Sequence, residues 1–438
     1  MTELASPPPG LPRRSFAIIF GVSMATAMGN TGLISVLPAI GRSTGIKDTM
    51  VVAIFSLSAL MWAGSSPLWA RASDRYGRKP MMLIGLTGFM VSMICCGFVV
   101  GAGLRQMATP LMIFVMFLFA RALFGLFGAA TSPATQAYLA EYTPLERRTQ
   151  AMSSLAGAIG LGTVIGPFLA PLFILPFVGL AGPLFGFALI AAVMLSIVVR
   201  YLPESQRIPA REPVRPRGAS EPKARPLWRD PRLTPFLVYG FLVAVCQTGQ
   251  AQTLGFLIID KLSMSPAEAQ GFIAVAMMFG AVAGLLAQWG LIRMFEMTPR
   301  QLLRWGVLVA ALGNLLVAVA PNYWVVVAGY ALSSLGFGFA RPGFTAGSSL
   351  AVGLGEQARA AGAIAAVNGV NVVFAPGFVW LYQHAAWAPF LMNGVILAGL
   401  LAYAFNSRAL KNADPEPTTL ADTALASLES SAEGGGAA

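Results

Sequence analysis

Residues 80–103 read PMMLIGLTGFMVSMICCGFVVGAG, a stretch without one charged side chain. An α-helix needs about 20 consecutive apolar residues to cross the hydrocarbon core of a membrane, so this stretch is long enough to span a bilayer. Eleven other stretches have a similar length and polarity. The sequence therefore predicts twelve membrane-spanning helices, near residues 15–40, 49–70, 80–103, 110–140, 149–173, 180–202, 233–259, 267–292, 301–320, 323–351, 359–383 and 387–406.

The composition of the 438-residue chain agrees with this prediction. Hydrophobic residues make up 56% of it and charged residues 11%, whereas a soluble domain carries about 25% charge. So small a charged fraction cannot cover a water-facing surface. It argues against a soluble enzyme, a secreted disulfide scaffold, a disordered regulator and a free nucleic-acid-binding protein. Membrane β-barrel strands alternate polar and apolar side chains over about ten residues, a pattern that this sequence lacks. We therefore expect an all-α membrane protein.

The positive charge of the chain predicts its orientation. Lys and Arg number 29 against 18 Asp and Glu, which gives a formal net charge of +11. If both termini lie in the cytoplasm, 23 of the 29 cations fall in cytoplasmic segments, as the positive-inside rule requires. The sequence thus predicts a multi-pass protein of a bacterial inner (plasma) membrane with both termini cytoplasmic. Because topology explains most of the charge, no nucleic-acid partner is expected.

Two matched pairs indicate that the chain is a duplication. Pro133 corresponds to Pro342, and Gly166-Pro167 corresponds to Ala375-Pro376, both at an offset of 209 residues. We expect two pseudo-symmetric six-helix bundles with a cavity between them at mid-membrane, an architecture typical of alternating-access transporters. The predicted segments are a cytoplasmic tail, a first bundle, a Pro- and Arg-rich cytoplasmic linker, a second bundle and a disordered tail, at residues 1–14, 15–202, 203–232, 233–406 and 407–438.

Residues 74–80, after the second predicted span, read DRYGRKP. A basic turn that obeys the positive-inside rule would account for the cations but not for Asp74 or Gly77. The turn resembles the signature loop G-x-L-x-D-R-x-G-R-K of the major facilitator superfamily. Two positions depart from that loop, since Ala70 and Ala72 stand where it has Gly and Leu.

Two other motifs point to one branch of that superfamily. In the fourth span Arg121 is followed by Gly125 and Gly128, similar to the superfamily's motif of an intramembrane Arg followed by glycines. In the fifth span residues 162–171 read GTVIGPFLAP, which resembles the antiporter motif G-x-x-x-G-P-x-x-G-G except for Ala-Pro at its end. Over about residues 15–410 the chain is similar to the twelve-helix drug:proton antiporters. This resemblance implies the major facilitator fold and proton-coupled export.

The resemblance also implies roles for single residues. Asp74 would meet the N-terminus of the eleventh span in one conformation, because helix N-termini bind anions. Arg78 would pair with Glu141, for which a solvated loop carboxylate is the alternative. The predicted residues of the conformational switch and of proton coupling are Asp74, Arg75, Gly77, Arg78, Lys79 and Glu141. The antiporter-motif residues expected to pack against a neighbouring helix, rather than to touch substrate, are Gly162, Gly166 and Pro167.

Two arginines lie inside predicted spans. A cation at mid-bilayer costs at least about 2.5–3.5 kcal/mol on insertion scales, so an intramembrane Arg is functional by default. We therefore place Arg121 in the substrate cavity. For Arg341 two interpretations stay open, a cavity position and snorkelling of the side chain to the cytoplasmic interface. Amides on neighbouring spans complete the candidate cavity, although interhelical hydrogen bonding explains each of them equally well. The full set is Asn30, Arg121, Gln247, Gln250, Arg341, Asn368 and Asn371.

None of the 18 acidic residues lies at the centre of a predicted span. Buried arginines without a central carboxylate favour a neutral or anionic amphiphile over a permanently cationic drug. Proton coupling must then use Asp74 and Glu141, or an acid at the outer edge such as Asp260. The single histidine, His384, is expected on the surface. The three cysteines lack the spacing of metal ligands, so no metal site is predicted.

These observations predict a secondary transporter, not an enzyme. We expect a proton-gradient-driven exporter of small amphiphilic (neutral or anionic) compounds that works by alternating access, as a monomer, without a cofactor or a catalytic residue. Its partners would be the small-molecule substrate, the proton and the lipid bilayer. Two alternatives stay open. One is an importer or facilitator of a small metabolite, and the other is a non-transporting membrane sensor with the same fold.

Overall fold

A computed structural model describes residues 12–204, 230–352, 356–411 and 413. Twelve helices in these ranges are long and apolar enough to cross a membrane, which confirms the predicted spans. We number them along the chain: α1 Arg13–Thr44, α2 Asp48–Tyr76, α3 Arg78–Leu104, α4 Pro110–Tyr142, α5 Ala151–Phe173, α6 Gly179–Tyr201, α7 Thr234–Leu262, α8 Pro266–Met294, α9 Pro299–Ala318, α10 Tyr323–Leu350, α11 Ala360–His384 and α12 Ala388–Asn406.

The helices form two six-helix bundles, α1–α6 and α7–α12, as the internal repeat predicts. Because successive helices run in opposite directions, their ends gather at two faces. We call the face that carries the start of α1 the terminal face and the other the opposite face. Most of the predicted linker and both predicted tails, at residues 203–232, 1–14 and 407–438, lie outside the described residues.

Local sequence fixes where several helices begin and end. Ser265 caps α8 through a reciprocal pair of hydrogen bonds with Glu268, and Thr109 caps α4, whose first residue is proline. Such caps satisfy the free N–H groups of the first turn. Between α2 and α3 the turn consists of Gly77 alone, whose φ of 105° is accessible mainly to glycine. The glycine of the signature loop is therefore a steric requirement of this one-residue turn.

Buried apolar residues show how the two bundles meet. Near the opposite face they form one continuous cluster that contains both first-bundle residues such as Leu37 and Ile40 and second-bundle residues such as Leu254 and Ile258. Towards the terminal face each bundle has a core of its own. One is built around Tyr138 and its neighbours and the other around Phe344 and its neighbours, in separate clusters. The apolar cores of the two bundles thus merge at the opposite face and stay separate towards the terminal face.

The antiporter-motif residues pack α5 against α1. Gly162 and Gly166 lie so close to α1 that a Cβ atom on either would overlap a backbone carbonyl oxygen, that of Met24 or Met28. The hydroxyl of Thr31 donates a hydrogen bond to the carbonyl of Gly162 at 3.5 Å. Small residues let membrane helices approach in this way. Pro167 is buried on the same segment and lies inside the helix; its packing against a neighbouring helix stays a prediction.

We predict that Gly166→Ala lowers the melting temperature of the purified protein, because the added methyl group must push α1 away from α5. Overpacking of this kind costs about 1–3 kcal/mol. The matched control is Gly101→Ala on α3, where a Cβ atom meets nothing within 4 Å. Equal melting temperatures for the two variants would contradict the account of the α1–α5 contact.

Candidate functional site: gate, switch and cavity

An ionic cluster closes the opposite face, and we call its members Arg42, Asp48, Asp260 and Tyr382 the gate cluster. Arg42 on α1 donates two hydrogen bonds to Asp48 on α2, at 2.8 and 2.7 Å. The same guanidinium donates to both carboxylate oxygens of Asp260 on α7, at 3.1 and 3.2 Å. Tyr382 on α11 donates to Asp260 at 2.6 Å. One arginine therefore joins a carboxylate of its own bundle to a carboxylate of the other bundle.

The layer beneath the gate cluster is also closed. The amide of Gln270 on α8 donates to the hydroxyl of Ser35 on α1 at 3.2 Å, and both residues are fully buried. A Cβ atom on Gly255 of α7 would press into the ring of Pro38 on α1. The gate cluster thus covers a tightly packed contact between α1 and the second bundle.

The signature loop forms a second ionic cluster, at the terminal face. Arg78 donates to Glu141 on α4 at 2.7 Å and to Asp74 on α2 at 2.6 Å. It also donates to the hydroxyl of Ser73 at 3.0 Å. The predicted Arg78–Glu141 pair is therefore present. Asp74 is two-thirds exposed at its side chain and bonds within its own bundle, so this is not the conformation in which we expect it to meet the start of α11. This arrangement agrees with bundles that are apart at this face.

Two other residues of the signature loop face away from the Arg78 pair. The ammonium group of Lys79 donates to the carbonyl of Val199 on α6 at 3.0 Å, and the Arg75 guanidinium lies 5.3 Å from the ring centre of Tyr76. These contacts tie the loop to the first bundle. Their part in switching stays a prediction.

The structure places Arg121 differently from our prediction. Its side chain is 1% exposed and lies inside the first bundle, not on the wall of an open cavity. It donates a hydrogen bond to Asn30 on α1, and its guanidinium stacks on Phe124 and Phe55, 4.2 and 4.9 Å from the ring centres. The Nε and Nη1 atoms have no partner among the described residues. Aromatic faces and an amide, rather than a carboxylate, therefore accommodate this cation.

Gln250, predicted in the cavity, is instead part of a hydrogen-bond network inside the second bundle. Its amide donates to Ser333 on α10 at 2.6 Å and accepts from Asn314 on α9 at 2.9 Å. Asn314 in turn accepts from Asn393 on α12 at 3.0 Å. All four side chains are buried. For Gln250 the interhelical hydrogen-bond interpretation is the right one, because each of its neighbouring helices offers a matching polar group.

A third polar group, which we call the cavity cluster, consists of Thr248, Arg341, Asn368 and Asn371. Arg341 on α10 donates to the side-chain oxygen of Asn368 on α11 at 3.2 Å. Asn371, one turn further along α11, donates to the backbone carbonyl of Asn368 at 2.7 Å and accepts from Thr248 on α7 at 2.5 Å. Of the predicted cavity residues, Arg341, Asn368 and Asn371 are therefore brought together. Gln247 is half-buried beside Thr248 on α7.

The gate cluster is the functional feature that sequence reasoning missed. No role was predicted for Arg42 or Asp48, and Asp260 was named only as one possible coupling acid. The sole signal was the presence of both signs of charge at the outer ends of α1, α2 and α7. Within the described part of the chain no group of His, Cys, Asp and Glu residues could hold a metal ion. His384 is exposed at the end of α11, as predicted.

The architecture and the signature-loop geometry match one protein family. The model of the Major Facilitator Superfamily matches residues 19–376. The chain belongs to the Major Facilitator Superfamily. It is 27% identical to multidrug resistance protein 2 of Bacillus subtilis (strain 168), over 88% of this chain and 93% of that protein. It is 24% identical to the class H tetracycline resistance protein of Pasteurella multocida, over 90% of this chain and 96% of that protein. These relatives support the branch that the motifs indicate.

Solved structures of this superfamily share the fold. A bacterial homologue of the human lysosomal transporter Spinster, in an inward-facing and occupied conformation, has a TM-score of 0.68 at 15% identity and covers 92% of this chain and 98% of its own. A human organic anion transporter has a TM-score of 0.62 at 20% identity and covers 90% of this chain and 100% of its own. The protein is thus a multi-pass membrane transporter with the major facilitator fold.

We predict that Arg42→Gln opens the opposite face, because it removes the one guanidinium that the two bundles share. Opening is measured as maleimide labelling of Ser35→Cys from that face, in a background without the three native cysteines. Ser35 is fully buried beneath the gate cluster. A partly exposed ion pair contributes up to about 1 kcal/mol, so labelling should rise by up to about fivefold.

The control for this experiment is Glu268→Gln, an acid at the same face that caps its own helix α8. This variant should label as slowly as the parent protein. Unchanged labelling in Arg42→Gln would mean that the gate cluster does not hold the face closed.

Proposed function

We propose that this transporter exports small amphiphilic compounds, neutral or anionic, by alternating access, and that a proton gradient drives it. The observation that carries the proposal is the asymmetric closure of the two bundles. Their apolar cores merge beneath the gate cluster and stay separate at the terminal face. A cavity that is open on one side only, with an ionic gate on the other, is what a carrier with two alternating states requires.

The export direction is supported by the α1–α5 contact and by the relatives. Gly162 and Gly166 reproduce the antiporter-motif spacing, and both lie against the α1 backbone. Relatives that align over most of this chain are multidrug and tetracycline resistance proteins. Export also agrees with an orientation in which the terminal face is cytoplasmic, as the positive-inside rule predicts for a bacterial inner membrane.

The switch that we propose at the terminal face is a change of partners at Arg78. In the present state Asp74 and Glu141 share this one guanidinium. When the bundles close at the terminal face, Asp74 would leave Arg78 for the N-terminus of α11, and Arg78 would keep Glu141. Protonation of either carboxylate would weaken this arrangement, which gives the proton gradient a means of biasing the two states.

The proposal includes a monomer as the working unit, because each bundle contributes one wall of the cavity within a single chain. The proton and the substrate are its partners besides the lipid bilayer. No bound cofactor is part of this mechanism, since rearrangement of ion pairs and helices is sufficient for it.

We predict that inside-out vesicles containing the protein accumulate a fluorescent amphiphile only while a proton gradient is present. Glu141→Gln should reduce the rate several-fold, because Arg78 then lacks its partner on α4. The control is Glu296→Gln, an acid at the same face in the turn between α8 and α9, which should transport like the parent protein. Equal accumulation with and without the gradient would contradict proton coupling.

The two alternative functions lead to different expected results in the same vesicle assay. An importer or facilitator would accumulate substrate in right-side-out vesicles and not in inside-out ones. A membrane sensor with this fold would show no flux in either orientation. Uptake in inside-out vesicles therefore separates export from both alternatives.

A further inference from the structure

We propose that Arg341 is the anion-binding residue of the substrate cavity and that the preferred substrates are aromatic carboxylates. This inference rests on the proposed transport function and names its substrate class. It also moves the anion site from Arg121, where the sequence alone placed it, to the second bundle.

Arg341 lies well inside the membrane-spanning helix α10. The residue lies nine positions before the end of α10 at Leu350, which is about 13 Å along the helix. Its side chain is exposed, and its guanidinium turns to α11, where it donates to Asn368. α11 borders the first bundle, since the hydroxyl of Ser56 on α2 donates to the carbonyl of Val372 on α11 at 2.8 Å. We therefore place the Arg341 side chain between the bundles rather than snorkelling along the outside of the second bundle.

Arg341 lacks a counter-charge in the described part of the chain. Among the described residues no Asp or Glu oxygen lies within ion-pair distance of Arg341. Its hydrogen bond to Asn368 uses the Nη2 atom, and a neutral amide cannot balance a positive charge. An arginine at membrane depth is costly unless it is paired. A carboxylate on the substrate would supply the missing partner, and the planar guanidinium suits a carboxylate in two-point contact.

Polar neighbours orient the Arg341 guanidinium before a substrate binds. Asn371 donates to the backbone carbonyl of Asn368 and accepts from Thr248 of α7, so α7 and α11 are tied together beside the residue that accepts from the Nη2 atom of Arg341. A cation whose orientation is set in advance loses less entropy on binding. Arg121 has no such role, because it is sealed in the first bundle against Phe124 and Asn30.

An aromatic side chain further along α11 indicates the nature of the apolar part of the substrate. Phe374 lies six residues beyond Asn368 on α11, about 9 Å along the helix. Its ring packs edge-on against Phe241 of α7 at 5.6 Å between ring centres, and about half of its surface is open. With the carboxylate at Arg341, a flat aromatic group on the substrate would extend towards this half-open ring and pack against it. The chemistry therefore points to an arylcarboxylate.

The test compares two probes that share a ring system, 2-naphthoate and 2-naphthamide. Binding of each to the purified full-length protein is measured by equilibrium dialysis. The parent protein should bind the carboxylate more tightly than the amide. Arg341→Gln should weaken 2-naphthoate binding by about tenfold and leave 2-naphthamide binding unchanged, since only the carboxylate carries the charge that Arg341 balances. Arg341→Lys should keep part of the preference for the carboxylate.

The matched control is Arg408→Gln, which removes the same charge from an exposed position at the terminal face and should change neither affinity. The inference is overturned if Arg341→Gln affects both probes equally or neither, or if the parent protein binds neither probe. If the protein exports neutral compounds and the Arg341→Gln substitution leaves the binding of both probes unchanged, the anion site is refuted and the proposed function stands. Selective 2-naphthoate binding without any flux would refute the proposed transport function and leave the anion site standing.

Discussion

One guanidinium, that of Arg42, is shared between the two halves of the molecule, and the closed state of the opposite face depends on it. Asp48 holds Arg42 from the same bundle through two short hydrogen bonds, and Asp260 reaches it from the other bundle at a slightly longer distance. When the bundles separate, Arg42 can keep its partner on α2. Asp260 keeps the hydroxyl of Tyr382. Opening therefore breaks one contact without leaving the arginine unpaired.

This arrangement matters because apolar packing alone cannot set the balance between the two states. In a membrane, lipid tails are as apolar as the side chains that they replace, so the driving force for helix association is weak. Ion pairs at the faces, where water can reach them, are strong enough to keep a face closed and weak enough to let it open. The terminal face carries a similar group, in which Arg78 binds Asp74 and Glu141. There, however, all three residues belong to the first bundle, and that face is open.

The sequence predicted the fold more completely than the site. The spans, the two bundles, the role of Gly162 and Gly166 and the Arg78–Glu141 pair all follow from hydropathy or from motifs whose spacing reflects helix packing. Gln247 and Gln250 illustrate the limit. Positions three apart on a helix share a face only approximately, and here Gln250 turns into the bundle core while Gln247 stays half-buried.

Helical periodicity also cannot say which side chains a buried residue will meet. Arg121 is enclosed by Phe124, three residues along its own helix, and by Phe55 of α2 and Asn30 of α1. The spacing within α4 encodes only the first of these contacts. The Arg42–Asp260 contact joins residues 218 positions apart, a separation over which a single sequence carries no pairing signal. The cavity cluster and the gate cluster both depend on such distant pairs.

The central claim is that the opposite face opens when Arg42 and Asp260 separate. The most direct measurement is the distance distribution between spin labels at Ser43→Cys and Met264→Cys, on the two sides of this contact, in lipid nanodiscs by double electron–electron resonance. The account predicts a short distance in the parent protein, and an added longer population that grows in the Asp260→Asn variant. A single, identical short distance in both proteins would contradict it.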